Sequence, residues 1–341
     1  MDKIMKTKIV YAVSSDEQDI YLEQTVLSVF SLKRHNPDAV VEFVVDERTD
    51  KTIVGKRELI LQYVNKKIVV EVPESYDKKQ TSRFLKTNLR QYIDGDFLFI
   101  DSDTVIADSL ADIDSFDGDI GAVINEHVPI SLYFDNYGKS VRRYAKEEGW
   151  QCNDTFPYFN SGVMFVRDSE MSRHFYKDWH NAWLDNICKF GRHYDQPPLA
   201  LVNEKNNYVV TELPAIWNCQ ILRYGLPYLH QAKIIHYFAA MYNKDTIIYA
   251  FRKKAIYEDI KNKGYLSTDL IKLIDRAKTA FENPTRLCTK EELNVLSGEM
   301  AMVCLYHPII LNTLNSLFRL LSRVHGWFIR PFRIHRKVCM I

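Results

Sequence analysis

Apolar positions along this chain come in short runs, and the runs alternate between strand and helix periods. Residues 8–13 form a strand-length apolar run, followed by a polar loop at 14–19. Positions 22, 26, 27, 29, 30 and 32 then repeat at helical spacing as far as Arg34. Residues 40–45 predict a second strand ending on Asp46, 51–64 a helix, 67–72 a third strand, 82–92 a helix and 96–100 a fourth strand. Further strands are expected at 120–124, 159–166, 208–212 and 233–238. Between them, 171–187 predicts an amphipathic helix with Trp179 and Trp183 on one face. Residues 129–153, rich in Tyr, Gly and charge, fit a long functional loop or a small helical excursion. From about Asp245 the pattern is helical, with breaks at Gly264, Pro284 and Pro308. Strands alternating with helices of these lengths predict an α/β fold around a parallel, doubly wound sheet.

Composition narrows the function classes. The 341 residues suffice for one large α/β domain with an appendage, or for two domains. A net charge of +1 excludes a strongly basic nucleic-acid binder, yet it hides an uneven distribution. From Ser316 to the C-terminus there are six Arg or Lys residues and no Asp or Glu. The six cysteines are scattered without a Cys-x-x-Cys pair, which argues against zinc ribbons and disulfide frameworks and for a reducing compartment. The N-terminus turns to a strand pattern too early for a signal peptide. The most apolar later stretch, 301–321, carries His307, Pro308, Asn312 and Asn315 and is too polar for a membrane span.

Candidate chemistry starts where the strand at 96–100 stops on Asp101, Ser102 and Asp103. The C-terminal edge of such a sheet is where ligands bind. Residues two apart in an extended segment point to one side, so both carboxylates can face one hard cation. Taken alone, a run ending in Asp-x-Asp also fits helix-capping or solvated acids. Three later clusters change that balance. Tyr158 to Phe165 sets Asn160, Ser161 and Gly162 at the start of a buried strand, and Asp195-Gln196 precedes Pro197, where a helix is expected to begin. His236 sits inside an apolar strand, a position that by itself fits a hydrogen-bonded core histidine.

In this order the clusters resemble glycosyltransferase family 8, which includes glycogenin and the bacterial lipopolysaccharide galactosyl- and glucosyltransferases. The resemblance covers about residues 8–245: the opening strand and loop, a basic residue about fifteen positions before Asp-x-Asp, Asn-Ser-Gly-Val, Asp-Gln and the late strand histidine. It implies a GT-A type nucleotide-diphospho-sugar transferase fold, Rossmann-like with a mostly parallel central sheet, over 1–245, and a helical C-terminal extension over 246–341. Asp101, Asp103 and His236 would hold Mn²⁺, with Mg²⁺ as the alternative, and the metal would hold the diphosphate of a UDP-sugar; two carboxylates and an imidazole suit such an ion. Lys86 and Ser102 would contact the donor, Asn160, Ser161, Asp195 and Gln196 would line its sugar, and Ala12, Ser14 and Asp16 would hold the nucleotide. Family members retain anomeric configuration; with no second strong nucleophile evident, front-side attack near Gln196 is expected.

The chain departs from the family pattern in two places. Gln18 stands near the usual position of the aromatic that stacks on uracil, and Tyr21 comes slightly later. After His236, Ala239 replaces a glycine and Tyr242 a lysine, with Lys244 two residues on as the candidate diphosphate contact. Acceptor pockets are expected from 129–154 and parts of 212–230.

Two other readings compete. Asp101-Ser102-Asp103-Thr104-Val105 resembles the nucleophile motif of haloacid-dehalogenase-type phosphatases, but it lacks the glycine before Thr and does not open the chain. A catalytically silent sugar-nucleotide-binding protein would most naturally have lost an acid from the metal site, and all three presumed ligands are present. At the C-terminus, Leu311, Leu314, Leu317, Phe318 and Leu321 share a helical face, followed by Trp327, Phe328, Arg330, Phe332, Arg333, Arg336 and Lys337. A basic, aromatic segment of this kind can lie in the headgroups of an anionic bilayer; a packed helix with a basic end is the plainer reading. The expectation is a cytoplasmic enzyme, peripheral on the inner face of a membrane, acting on a saccharide or glycolipid acceptor.

Overall fold

The computed structural model describes residues 5–281, apart from 131, 132, 134, 135, 154, 223 and 239–248, together with scattered positions between 303 and 321. Lys244, Pro284, Pro308 and the tail from 322 onward lie outside the described residues. The chain divides into two compact units, Met1–Leu287 and Cys288–Ile341.

The first unit is built on a seven-stranded sheet. Its strands are β1 (Lys8–Val13), β2 (Val41–Asp46), β3 (Lys66–Val70), β4 (Phe97–Ile100), β6 (Ile120–Ile124), β7 (Phe159–Val166) and β8 (Val210–Glu212), in the order β3-β2-β1-β4-β7-β6-β8. Strands β1 to β4 pair in parallel, and so do β6 and β8. Only β7 runs the other way, antiparallel to both β4 and β6. The sheet is thus mostly parallel, as expected, with one reversed strand inside it. Hydrophobic pattern alone carries no information about that direction, because a strand buried on both faces looks the same either way.

Burial on both faces explains the continuous apolar runs. Along β1, Ile9, Tyr11 and Val13 join one hydrophobic cluster while Val10 joins the other; along β4, Leu98 and Ile100 oppose Phe97 and Phe99. Period-two side-chain alternation thus splits each strand between two cores. One core takes in α1 (Tyr21–His35) and the other takes in α3 (Lys78–Thr87), α6 (Glu170–Phe190) and α7 (Gln196–Lys205). A small second sheet is formed by β5 (Thr104–Ile106), β9 (Cys219–Gln220) and β10 (Ile234–His236).

Helix boundaries follow local chemistry. Asp77 caps α3 in a capping box with Gln80, and Ser169 does the same for α6 with Ser172. Gly191 ends α6 with a left-handed φ of 63°. The expected helix at 51–64 is instead α2 (Glu47–Thr52) and a 3₁₀ turn, Gly55–Gln62. Val54 is extended and Gly55 has φ +58°, so the helical ladder cannot run through them. The expected helix at 82–92 breaks at Asn88 into α3 and α4 (Leu89–Tyr92). The tyrosine-rich excursion contains α5 (Asn136–Glu148).

After the second sheet, α8 (Lys254–Lys263) and α9 (Thr268–Asp275) pack into the same core as β1 and α1, through Tyr257, Ile260, Leu270 and Ile274. Lys261 reaches from α8 to the loop after β1. Its Nζ donates to the carbonyls of Glu17, at 2.9 Å, and Asp19, and lies 3.7 Å from the buried Glu23 carboxylate. Arg57 approaches Glu23 from the other side at 3.4 Å and donates to Ser15 Oγ at 2.8 Å. Lys261→Ala is expected to speed hydrogen exchange at the Gln18 and Asp19 amides roughly tenfold, as follows from losing about 1.5 kcal/mol of charge-assisted hydrogen bonding. Exchange in β1 and β4 should stay unchanged, which site-resolved exchange mass spectrometry can check.

Candidate functional site

The reversal of β7 assembles the site. Parallel strands β1, β4 and β6 all end at one sheet edge, and β7, running opposite, begins there. Ile100 pairs with Val163, and the amide of Asp101 donates to the Gly162 carbonyl at 2.7 Å. On the other flank Val123 pairs with Asn160. Asp101 after β4, Asn125 after β6 and Asn160-Ser161 at the head of β7 thereby meet at one edge.

His236 arrives by a different route. In the small sheet β10 pairs antiparallel with β5 so that His236 faces Thr104, one residue past Asp103. Its Nε2 lies 3.2 Å from Asp103 Oδ1. One ligand atom each from Asp101, Asp103 and His236 lie within 4.8 Å of one another, so the sequence-expected triad converges. Two hard carboxylates and an imidazole are a donor set that fits Mn²⁺ or Mg²⁺. The charge pattern fits too. Burial pushes the Asp101 carboxyl above its ordinary range; Lys86 pulls it back, and the neighbouring Asp103 carboxylate adds to the rise. A cation between the two acids would relieve that strain. Gly162 leaves the room: a Cβ there would stand 2.6 Å from His236 Cε1 and 2.8 Å from Asp101 Oδ2.

Lys86 links this triad to the second cluster. Its Nζ lies 3.3 Å from both oxygens of Asp101 and 3.2 Å from Asp195 Oδ2, over the Phe99 ring, and the residue is only 4% exposed. Arg83, one turn earlier on α3, pairs with Asp195 Oδ1 at 3.0 Å, and Ser161 Oγ donates to Asp195 Oδ2 at 2.7 Å. The Asp195 carbonyl accepts from Trp179 Nε1 at 2.9 Å. Burial would push the Asp195 carboxyl up, but Lys86, Arg83 and the Ser161 hydroxyl together hold it well below the usual carboxylate range. Gln196 opens α7 and donates through Nε2 to Asn125 Oδ1 and the Phe159 carbonyl, each at 3.2 Å.

The loop residues are placed less tightly. Ala12, next to last in β1, is half-buried, and Ser14 just past the strand is buried. The Asp16 carboxylate is ion-paired to Lys78 and accepts from the Gln18 amide at 2.9 Å. Ser102 Oγ accepts from Thr25 Oγ1 at 2.9 Å. Tyr21 is 42% exposed at the start of α1, near enough to Asp103 to feel its charge. Arg83, Asn125 and Asn218 were not anticipated. Arg83 sits three before Lys86 on the same helical face, and Asn125 directly follows a buried strand, as Asp101 does; both signals were available. Asn218, in a turn before a two-residue strand, carried none.

The depressed Asp195 carboxyl sets a pH dependence. A group whose folded pKa lies below its unfolded value adds stability above the unfolded value, about 3.9, and loses it as pH falls toward the folded one. Asp195→Asn should therefore cost about 3 kcal/mol at neutral pH, because Lys86 and Arg83 lose a buried partner. The gap from wild type should hold from pH 5 to 8 and shrink below about pH 4. Urea unfolding across that range measures it.

Comparisons with known proteins identify the fold and the family. No curated protein matches the sequence. Among solved structures, the galactosyltransferase LgtC in complex with donor and acceptor sugar analogs aligns with a TM-score of 0.50 at 16% identity, covering 78% of this chain and 99% of that one. An active-site mutant of LgtC aligns with the same TM-score and identity over 80% of this chain and 100% of its own. Mouse xyloside xylosyltransferase 1 gives a TM-score of 0.46 at 16% identity, with 68% and 97% covered. At such identity the LgtC likeness establishes the fold, a GT-A type α/β architecture with a mostly parallel central sheet. The family model for glycosyl transferase family 8 matches residues 9–242, more than half of the sequence. The chain belongs to glycosyl transferase family 8.

Proposed function

We propose that this glycosyltransferase is metal-dependent and retaining, and moves a hexose, glucose or galactose, from a UDP-sugar to a saccharide or lipid-linked saccharide. The observation that carries this is the convergence of Asp101, Asp103 and His236 with the Lys86–Asp195 pair and Gln196 at one sheet edge. Asp101, Asp103 and His236 would hold Mn²⁺ or Mg²⁺, which supplies Lewis-acid neutralisation of the departing diphosphate. Asp16, in the loop tied down by Lys261, offers a carboxylate to the ribose or base, and Tyr21 offers an exposed ring beside it. Lys86 and Arg83 hold Asp195 ionised as an acceptor for sugar hydroxyls. Gln196, with its amide nitrogen turned to Asn125, presents its carbonyl oxygen toward the anomeric carbon. Asp195, the neighbouring carboxylate, is engaged by Lys86, Arg83 and Ser161, which supports attack by the acceptor on the face that the UDP leaves rather than a covalent intermediate. In LgtC, crystallised with donor and acceptor sugar analogs, the same fold houses both substrates, which supports a two-substrate cleft here.

We assign the basic, aromatic C-terminal segment to an anionic membrane surface, where a lipid-linked acceptor would be found. No described helix is long and apolar enough to cross a membrane. The six basic residues after Ser316 would each contribute about 1 kcal/mol near such a surface, giving salt-sensitive binding.

Two experiments test these readings. Purified protein screened against a panel of UDP-sugars should release UDP from one hexose donor in the presence of Mn²⁺. Asp103→Asn should lower that release at least a hundredfold without unfolding the chain; a mutant as active as wild type removes the metal reading. A catalytically silent binder would bind UDP and release none from any donor. Truncation before Ser316 should free the protein from anionic liposomes while donor hydrolysis stays within twofold. Co-sedimentation of the truncated chain at the wild-type level rules out the tail as the anchor.

A further inference from the structure

A peptide N–H can be neither flipped nor tautomerised, so any side-chain amide it touches is oriented without ambiguity. The Gly162 amide donates to Asn160 Oδ1 at 2.9 Å. That orients Asn160, whose Nδ2 then faces Asn125 Oδ1 at 3.0 Å. The Asn218 atom 2.9 Å from the same Asn160 Oδ1 must be a donor, hence Nδ2. Asn218 Oδ1 is therefore the atom that stands 3.0 Å from His236 Nδ1. Turning Asn218 over would set its carbonyl oxygen against that of Asn160, which the Gly162 amide already fixes as an acceptor. Asn218 is fully buried and His236 nearly so, which leaves no solvent to repair such a mismatch.

We propose that Asn218 is a positioning residue that keeps a proton on His236 Nδ1, so that Nε2, beside Asp103 Oδ1 at 3.2 Å, is the nitrogen left to ligate a metal. The orientation originates in the Gly162 peptide and is transmitted through Asn160 and Asn218. The same chain runs on to the opposite end of the site, since Asn125 Oδ1 also accepts from Gln196 Nε2 at 3.2 Å. One set of buried amides thus orients both the imidazole at the metal end and the carboxamide at the sugar end. A ligating histidine commonly has its other nitrogen held by an outer partner, whose loss weakens metal binding by about 10- to 100-fold. The functional consequence rests on the metal reading of the site; the proton on Nδ1 does not.

Long-range ¹H–¹⁵N correlation spectra of histidine-labelled wild-type protein, without metal and with diamagnetic Mg²⁺, test the tautomer, with the His236 signals assigned by their loss in His236→Gln. A proton on Nδ1 is expected in both states; a bare Nδ1 overturns the proposal. Mn²⁺ titration followed by electron paramagnetic resonance tests the consequence. Asn218→Leu should bind Mn²⁺ about 10- to 100-fold more weakly. Asn218→Asp keeps an acceptor facing Nδ1 but sets its other oxygen against Asn160 Oδ1, so it should bind Mn²⁺ more tightly than Asn218→Leu and more weakly than wild type. A folded Asn218→Leu that binds Mn²⁺ as wild type does overturns the proposal, and if that variant does not fold the wild-type spectrum decides. Wild-type protein that binds neither Mn²⁺ nor Mg²⁺ sinks the metal reading, with the Nδ1 proton still there to be read.

Discussion

A single reversed strand governs where much of this site can be. In a sheet of parallel strands, the C-terminal ends gather at one edge, and each contributes only the loop that follows it. Inserting β7 antiparallel between β4 and β6 brings a strand's beginning to that edge as well. The site therefore draws on strand residues held by ladder hydrogen bonds, Asn160 to Gly162, as well as on loops. Strand positions are set by register to within fractions of an ångström, which loops achieve only with help from outside. The bulge at Ala122/Val123 shifts the register where Asn160 meets β6 and brings Asn125 into reach of it.

Charge is balanced with similar economy. Three acids, Asp101, Asp103 and Asp195, crowd the edge, and two bases, Lys86 and Arg83, come from one face of α3. Lys86 is shared between Asp101 and Asp195, so neither carboxylate owns it. A cation held by Asp101 would weaken that acid's hold on Lys86 and leave the lysine more fully to Asp195. The two ends of the site are coupled electrostatically by this shared lysine, and sterically by the amides that join His236 to Gln196.

Much of this was legible in the sequence, and the exceptions have physical causes. Asp101, Asp103 and His236 were readable because an acid or imidazole ending or interrupting an apolar strand violates the local pattern. Lys86, Asn160, Ser161, Asp195 and Gln196 became meaningful only together, through family order. The direction of β7 was invisible because buried strands look alike either way, and β5 and β9 were missed because two or three residues carry no period. Asn218 was missed for a related reason: an asparagine in a turn is the commonest of sights, and only the distances to His236 and Asn160 give it a task. The break at Gly55 was foreseeable in principle, since a glycine after two β-branched residues is a poor site to continue a helix.

The contact between Lys261 and the loop after β1 bears on where this enzyme can be divided. Its last described site residue is His236, and a cut soon after it would keep every candidate ligand. Such a fragment would still lack the helix that ties down the carbonyls of Glu17 and Asp19, and the buried Glu23 would retain only Arg57. The loop proposed to hold the nucleotide is thus tied down by a residue made well after it. An emerging polypeptide would carry all three proposed metal ligands before Lys261 could tie down the loop after β1.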